Sequence, residues 1–255
     1  MLEMVSKGCT HHAILDLSMT DLVTQRLFIQ NLLDEGSPAD AMEAYYALHH
    51  DQDRTKLFLH SEQGKHPDGF LVRAQTGADL FRPLVTLRAR SDNGASALFK
   101  AGLIPGRQYY VVVPYQFGEI AFRELQVSDP QVLRVYRLDP KRYKPVINVL
   151  VKAYQNPNQL PRHEISSQGH IHAMAGINWR SPRFAEVYVV VDSAARGRGW
   201  GRSVVSALVG ELYASRIEPL YVVSEDNDAS LNLAQSVGFV DTGVRRFAGF
   251  ALWSG

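Results

Sequence analysis

Apolar positions recur along the chain first with helical and then with strand-like spacing. Ile14, Leu15, Leu17, Leu22, Leu27, Phe28 and Leu32 fall at helix-like intervals across residues 13–33, with a start near 18–21, and a second short helix is predicted over 38–49. From Lys56 the period shortens. Residues 57–60, 69–74 and 84–89 are β-branched or aromatic runs separated by Gly, Pro and Asp, which is the pattern of a strand meander. Residues 92–103 predict a helix stopped by Pro105-Gly106, 108–113 an apolar strand buried on both faces, 117–125 a helix and 132–138 another strand. Asp139-Pro140-Lys141-Arg142 interrupts the pattern, so the domain boundary is placed there, with 1–138 as one unit and 139–255 as the other.

Beyond Tyr143 comes a short piece compatible with helix or extended chain, then an extended segment over 162–166. A Ser167-Gln168-Gly169 turn of hairpin composition leads into a strand over 170–179. A strand over 186–192, a Gly/Arg loop, a helix over 202–215, a strand over 220–224, a helix over 229–236 and closing strands over 244–247 and 250–253 complete the order. The plan is mixed α/β (α+β, with a mixed sheet), and one helix leaves a strand through a glycine-rich turn.

Composition narrows the function classes. The 255 residues suit one large domain or two small ones, and 27 Lys+Arg against 26 Asp+Glu leave a net charge of +1. No long-range basic field is present to gather nucleic acid or an anionic membrane, so neither is expected as a partner. Apolar residues at 45% and charged residues at 21% are ordinary globular usage. The single cysteine, Cys9, forms no internal disulfide and reads as a bystander thiol. No apolar stretch resembles a signal peptide, and no run reaches the roughly 18 residues that span a bilayer, so a cytoplasmic, reduced setting is expected.

The most informative stretch runs from Glu186 through Val189, Val190 and Val191 to Asp192, and on through Arg196, Gly197, Arg198, Gly199, Trp200 and Gly201 to Arg202. A buried strand ends, glycines at alternate positions permit close backbone approach, and a helix begins. Free N–H groups and the positive end of the helix dipole therefore converge on one spot, which suits phosphate oxygens. Arg196, Arg198 and Arg202 add guanidinium groups of matching geometry. A dinucleotide fingerprint fits poorly, and a Walker loop is excluded because no Gly-Lys-Ser/Thr follows.

At these residues the chain resembles the GNAT superfamily of acyl-CoA-dependent N-acetyltransferases. Arg196-Gly197-Arg198-Gly199-Trp200-Gly201 is similar to its Arg/Gln-x-x-Gly-x-Gly/Ala pyrophosphate loop, and Ser224 to Asn227, followed by Leu233 and Gly238-Phe239, is similar to its second cofactor motif. The resemblance covers roughly residues 143–255. It implies a fold in which the strand at 187–191 splays from the strand at 220–224, leaving a cleft for the pantetheine arm of acetyl-CoA. The backbone of Val189 to Val191 would bond that arm, and Asn227, with Ser230 on the following helix, would support it from the far side. Val189 to Val191 can equally be read as core, and on spacing alone the core reading wins.

Acetyl transfer to an amine needs a base for the ammonium proton. Glu186 is the leading candidate: it is the only acid in an apolar strand, and partial burial would raise its pKa toward the working range. The competing reading is a strand-end glutamate facing water. The family's frequent tyrosine acid is replaced by Ala234; Ser230, Ser236 and Tyr188 lie nearby without holding its position. His170 and His172 alternate along one strand and so face the same side, but no third ligand with metal-site spacing follows and no metal is expected. The His11-His12 and His49-His50 doublets read as surface residues, and Trp179 and Trp253 as core or cleft walls.

The first half has no second Arg-x-x-Gly-x-Gly loop, so it is either a degenerate copy of the same fold or a distinct accessory domain. As a tandem copy it would share a sheet or pack closely with the second half, with the acceptor pocket between them. Arg73, Arg82 and Arg88 beside its strands are read first as solvated charges, with capacity to bind an acidic acceptor. The leading expectation is an N-acetyltransferase that moves the acetyl group of acetyl-CoA to a primary amine of a small molecule or amino acid by direct attack, with a homodimer allowed for. The rival is a non-catalytic CoA-binding sensor.

Overall fold

The computed structural model describes residues 21–64, 66–77, 79–156 and 159–255. Cys9, the His11-His12 doublet and the first part of the 13–33 helix lie outside them. Helix α1 (Leu22–Ile29) starts where Asp21 accepts a hydrogen bond from the Thr24 N–H at 2.8 Å, a side-chain cap for one of the free N–H groups of the first turn. Helix α2 (Ala41–Ala44) continues as one π-helical turn, Tyr45–His49.

Three antiparallel strands follow, β1 (Thr55–His60), β2 (Gly69–Ala74) and β3 (Leu84–Arg88). Helix α3 (Asp92–Gly102) crosses to β4 (Gln108–Pro114), which lies parallel to β3, and α4 (Gly118–Glu124) leads into β5 (Gln126–Leu138). The second half repeats this order after a hairpin series. That series is β6 (Lys152–Gln155), β7 (Pro161–Ser167), β8 (His170–Arg180) and β9 (Phe184–Val191). Helix α5 (Trp200–Ala214) then crosses to β10 (Glu218–Ser224), parallel to β9, and α6 (Asp228–Val237) leads to β11 (Phe239–Leu252).

All the strands form one sheet in the order β1-β2-β3-β4-β11-β5-β10-β9-β8-β7-β6. The order is nearly palindromic about the antiparallel β11/β5 pair. Each half contains the run strand, crossover helix, parallel strand, helix, strand, and each half's last strand lies against the other half's parallel strand: β5 pairs with β10 and β11 with β4. The first half is therefore a copy of the same α/β plan, and the sheet passes through the turn at 139–142 without a break.

The structure departs from the expected elements in length and burial. The closing pair predicted over 244–247 and 250–253 is one 14-residue strand that absorbs two register shifts against β5, and β5 itself begins at Gln126 rather than at 132. Glycine and proline at these sites mark bulges inside a strand, which local pattern cannot separate from turns. His50 is not a surface residue: it is 7% exposed, and its Nδ1 lies 2.8 Å from Thr55 Oγ1.

One sheet face carries α3 and α4 over the first half and α5 and α6 over the second, each burying its own apolar cluster. The opposite face is covered by α1, α2 and the π turn, over a core that joins residues of both halves, from Phe70 and Leu84 to Trp179, Phe184 and Leu220. Glu43 of α2, 1% exposed, forms a buried ion pair with Arg246 of β11, at 2.7 Å for Oε2 to Nη2. The same guanidinium donates to the Ala39 carbonyl, and Thr86 of β3 donates to Glu43. Paired and hydrogen-bonded on several sides, these charges meet the condition for being buried at all. They fasten the helical cover to the seam strand.

Candidate active site

Two parallel strands separate at the centre of the second half. β9 pairs with β10 only from Phe184/Glu218 to Val187/Tyr221, so the β10-facing edge of residues 188–191 is left without a strand partner while the other edge stays paired with β8. The opening forms a cleft of about 600 Å³, lined by Val189, Val191, Arg196, Trp200, Asn227 and Ser230 among others. Val190 points the other way, 56% exposed, so only its backbone faces this edge. The first half repeats the divergence, with β3 and β4 paired at only two positions.

The loop closing the cleft has the backbone that its glycines permit. Gly197 (φ +77°) and Gly199 (φ +73°) both lie in the left-handed region, where a Cβ is costly. Gly199 is the N-cap of α5 and supplies no side-chain acceptor, so the helix's first N–H groups point at the cleft uncapped. A Cβ on Gly201 would sit 2.8 Å from Leu233 and 3.0 Å from Val191, which explains the glycine at that position. Arg198 lies over the Trp200 ring at 5.1 Å, and Arg202 borders the same cleft. Across it, the Asn227 side-chain Oδ1 accepts from Ser230 N at 3.1 Å and starts α6. Free donors, three guanidinium groups nearby and a channel open to both strand edges fit a phosphate-bearing ligand with a long arm.

The corresponding helix of the first half is closed to such a ligand. Ser91 caps α3 itself, accepting from Gly94 N at 3.2 Å, and its hydroxyl donates to Glu62. A side-chain acceptor and a carboxylate stand where phosphate would go.

On the opposite sheet face lies Glu186. β8 carries a register shift between Ile177 and Trp179, and this bulge turns two adjacent residues toward one carboxylate. Asn178 Nδ2 donates to Oε1 at 2.6 Å and Trp179 Nε1 to Oε2 at 2.8 Å. Burial pushes the Glu186 carboxyl above the ordinary glutamate range, against the downward pull of the two donors and of Arg246. The carboxylate opens into a cavity of about 210 Å³ between the halves, walled by Met42, Tyr46, Tyr110, Leu133, Trp179 and Val222. Tyr45 stacks on Trp179 from behind at 5.2 Å. Through Thr76, Leu84 and Tyr110 this cavity adjoins a second one of about 330 Å³ that reaches Arg82 and Asp129.

Of the first-half arginines, Arg82 alone lines this space. Its Nε is held by Asp79 at 2.6 Å, and its guanidinium lies 4.2 Å from the Phe250 ring centroid. Arg88 pairs with Asp40 and Arg73 donates to the Gly102 carbonyl. Tyr188 is laid across Gly176 and Ser236 donates to the Leu233 carbonyl, whereas Ser230 meets Tyr221, with the two hydroxyls 2.8 Å apart. Tyr221, at the point where the strands part, was missed in the sequence because it reads as core. Burial raises its phenol pKa and keeps it protonated.

A splayed parallel pair, a glycine loop opening an uncapped helix and a carboxylate on the far side of the same strand together give a site of GNAT-like architecture. Residues 132–239 match the model of the Acetyltransferase (GNAT) family. Solved structures share the fold. A GNAT-family structure from Novosphingobium aromaticivorans is 17% identical over 72% of this chain and 89% of its own, with a TM-score of 0.56. A GNAT-family acetyltransferase from Colwellia psychrerythraea is 11% identical over 96% and 98%, at 0.55. A tandem GNAT protein from the clavulanic acid biosynthesis pathway is 13% identical over 95% and 97%, at 0.57. No curated protein matches the sequence. Members of the family use acyl-CoA, and no helix among the described residues is long and apolar enough to cross a membrane.

Proposed function

We propose that the protein is an N-acetyltransferase that transfers the acetyl group of acetyl-CoA to the primary amine of a small molecule or amino acid, in a ternary complex. The observation that carries this reading is the arrangement on β9. The free backbone edge beyond Val187 faces the cleft with the phosphate loop, while Glu186, one residue earlier, opens on the other sheet face into a separate cavity between the halves. Two substrates can thus approach one strand from opposite faces.

Acetyl-CoA supplies an activated thioester. The residues of the chain supply the rest. The loop from Arg196 to Arg202 and the start of α5 bind its phosphates, and the backbone of Val189 to Val191 with Asn227 and Ser230 orients the arm. Glu186 takes a proton from the acceptor ammonium, directly or through one water; the freed amine attacks the thioester carbonyl carbon, the C–S bond breaks to release CoA as its thiolate, and the nitrogen's second proton passes to that thiolate through a bound water. A carboxyl with a raised pKa suits this task better than an ordinary one. Aromatic walls around an acid favour a cationic amine as the group that enters.

The absence of a phenol at Ala234 leaves a CoA-binding sensor as the second reading. Calorimetric titration with acetyl-CoA, followed by thiol release against a panel of small amines and amino acids, separates the two. Binding with amine-dependent release supports the transferase, and binding without release from any amine favours the sensor. No binding overturns both.

A further inference from the structure

We propose that His170, His172 and Asp192 form a binding site for a divalent transition-metal cation of the zinc type, on the rim of the cofactor loop. Two histidines at i and i+2 of β8 face the same side of the strand. Local spacing offers no third ligand, but the β8–β9 pairing does: the chain leaves β9 with Asp192 N donating to the His172 carbonyl at 2.9 Å, which sets the Asp192 side chain beside both rings. One ligand atom from each of the three lies within 4.8 Å of the others, the only such group of three among the described residues. His170 Nε2 is 2.6 Å from Asp192 Oδ2, and the two imidazole centroids are 4.9 Å apart.

The separations suit a metal. With metal–ligand distances of about 2.0–2.2 Å, a tetrahedral site spaces its ligand atoms by about 3.3 Å; here one pair is 2.6 Å apart and no pair exceeds 4.8 Å, so small side-chain adjustments reach that spacing. The Asp192 carboxylate divides its two oxygens: Oδ1 accepts from Ala194 N at 3.2 Å, so Oδ2 can ligate without giving up the turn that leads to Arg196. Ser167 Oγ, 2.7 Å from His172 Nε2, is placed either to hold the free ring or to become an outer partner of the bound one. His170 is 62% exposed in its side chain, so the fourth position opens to water. Two neutral imidazoles and a carboxylate select zinc-like ions over Mg²⁺ and Ca²⁺, which take oxygen ligands.

The other histidine–acid pairs lack the second imidazole. His60 with Asp68, His163 with Glu211 and His49 with Glu35 each bring one ring to one carboxylate. The metal would tie the end of the β7–β8 hairpin to the residue that launches the cofactor loop. The inference does not depend on the acyl-transfer reading.

The test is calorimetric titration of metal-stripped protein with Zn²⁺ at neutral pH. One site per chain is expected, with no heat from Mg²⁺. His172→Ala and Asp192→Asn should each weaken Zn²⁺ binding by about tenfold to a hundredfold or more, since even outer partners of metal ligands are worth that much. Asp192→Asn keeps an oxygen for Ala194 N, and circular dichroism checks that each variant is folded. Co²⁺, added in place of Zn²⁺, should give a visible absorption band that both variants lose. Absence of Zn²⁺ binding overturns the proposal. Wild-type affinity in folded His172→Ala overturns it too, by assigning the metal to other histidines.

Discussion

Glu186→Gln separates base catalysis from packing because the carboxylate is held by two donors and faces away from the cofactor cleft. The glutamate accepts from Asn178 at 2.6 Å and Trp179 at 2.8 Å. A glutamine keeps one acceptor oxygen and sets its NH₂ against the second donor, which sacrifices a charge-assisted bond worth roughly 1.5–3 kcal/mol. Removing a desolvated charge offsets part of that cost. Loss of a positioned general base lowers turnover by about 10²–10⁴-fold, while acetyl-CoA affinity stays unchanged because the phosphate loop and splayed edge are intact. Thiol release measures the first quantity and calorimetry the second. The pH dependence follows from the direction of the shift. The folded carboxyl titrates above the ordinary value of 4.5, so wild-type activity rises with pH through that raised value. In the window between the two, the folded state holds the proton more tightly than the unfolded one, and this group's contribution to stability falls as pH rises. Glutamine removes both dependences. Turnover within about threefold of wild type would refute the assignment of Glu186 as base.

Gly199→Val places a β-branched side chain at φ +73° in open space, so the cost is backbone strain of roughly 1–2 kcal/mol together with displacement of the α5 N–H groups. Calorimetry should show at least a tenfold loss of acetyl-CoA affinity, and unchanged binding would contradict the phosphate-loop reading. Glu43→Leu leaves Arg246, 2% exposed, without its carboxylate. Breaking such a buried pair costs about 3–5 kcal/mol, or a fall in Tm of about 10 °C at this chain length. Adding Arg246→Met should recover most of that fall in a thermal melt; no recovery would show that the pair is not the cause.

The parts of the fold that sequence makes legible are those set by neighbouring residues. The glycine loop, the helix start at Asn227 and the strand leading to Glu186 each carry their signal within a dozen positions. The partners that complete the site do not. Asn178 and Trp179 reach Glu186 together only because β8 bulges, and period-two reasoning would have sent one of them to the other face. Arg246 meets Glu43 across 203 positions of sequence. Tyr221 sits in a strand that reads as core, and its hydroxyl acquires a role only once α6 brings Ser230 to it. Asp192 joins His170 through strand pairing over 22 positions.

The exchange of last strands leads to a prediction about autonomy. The turn at 139–142 is where composition divides the chain, yet β5, just before it, lies between β10 and β11 of the second half. A fragment of residues 139–255 would lose both ladders that β5 makes, expose the edge of β10 opposite the cleft and leave β11 without either neighbour. It would also lose the face of the core that Trp179, Phe184 and Leu220 share with Phe70 and Leu84. Extending the fragment back to residue 126 restores β5 but leaves that face and the other edge of β11 bare. The 139–255 fragment should therefore melt without a cooperative transition and bind no acetyl-CoA, and the 126–255 fragment should regain only part of the sheet signal in circular dichroism. A cooperative melt with acetyl-CoA binding in 139–255 would show that the second half is a self-sufficient domain and that the shared strands are dispensable.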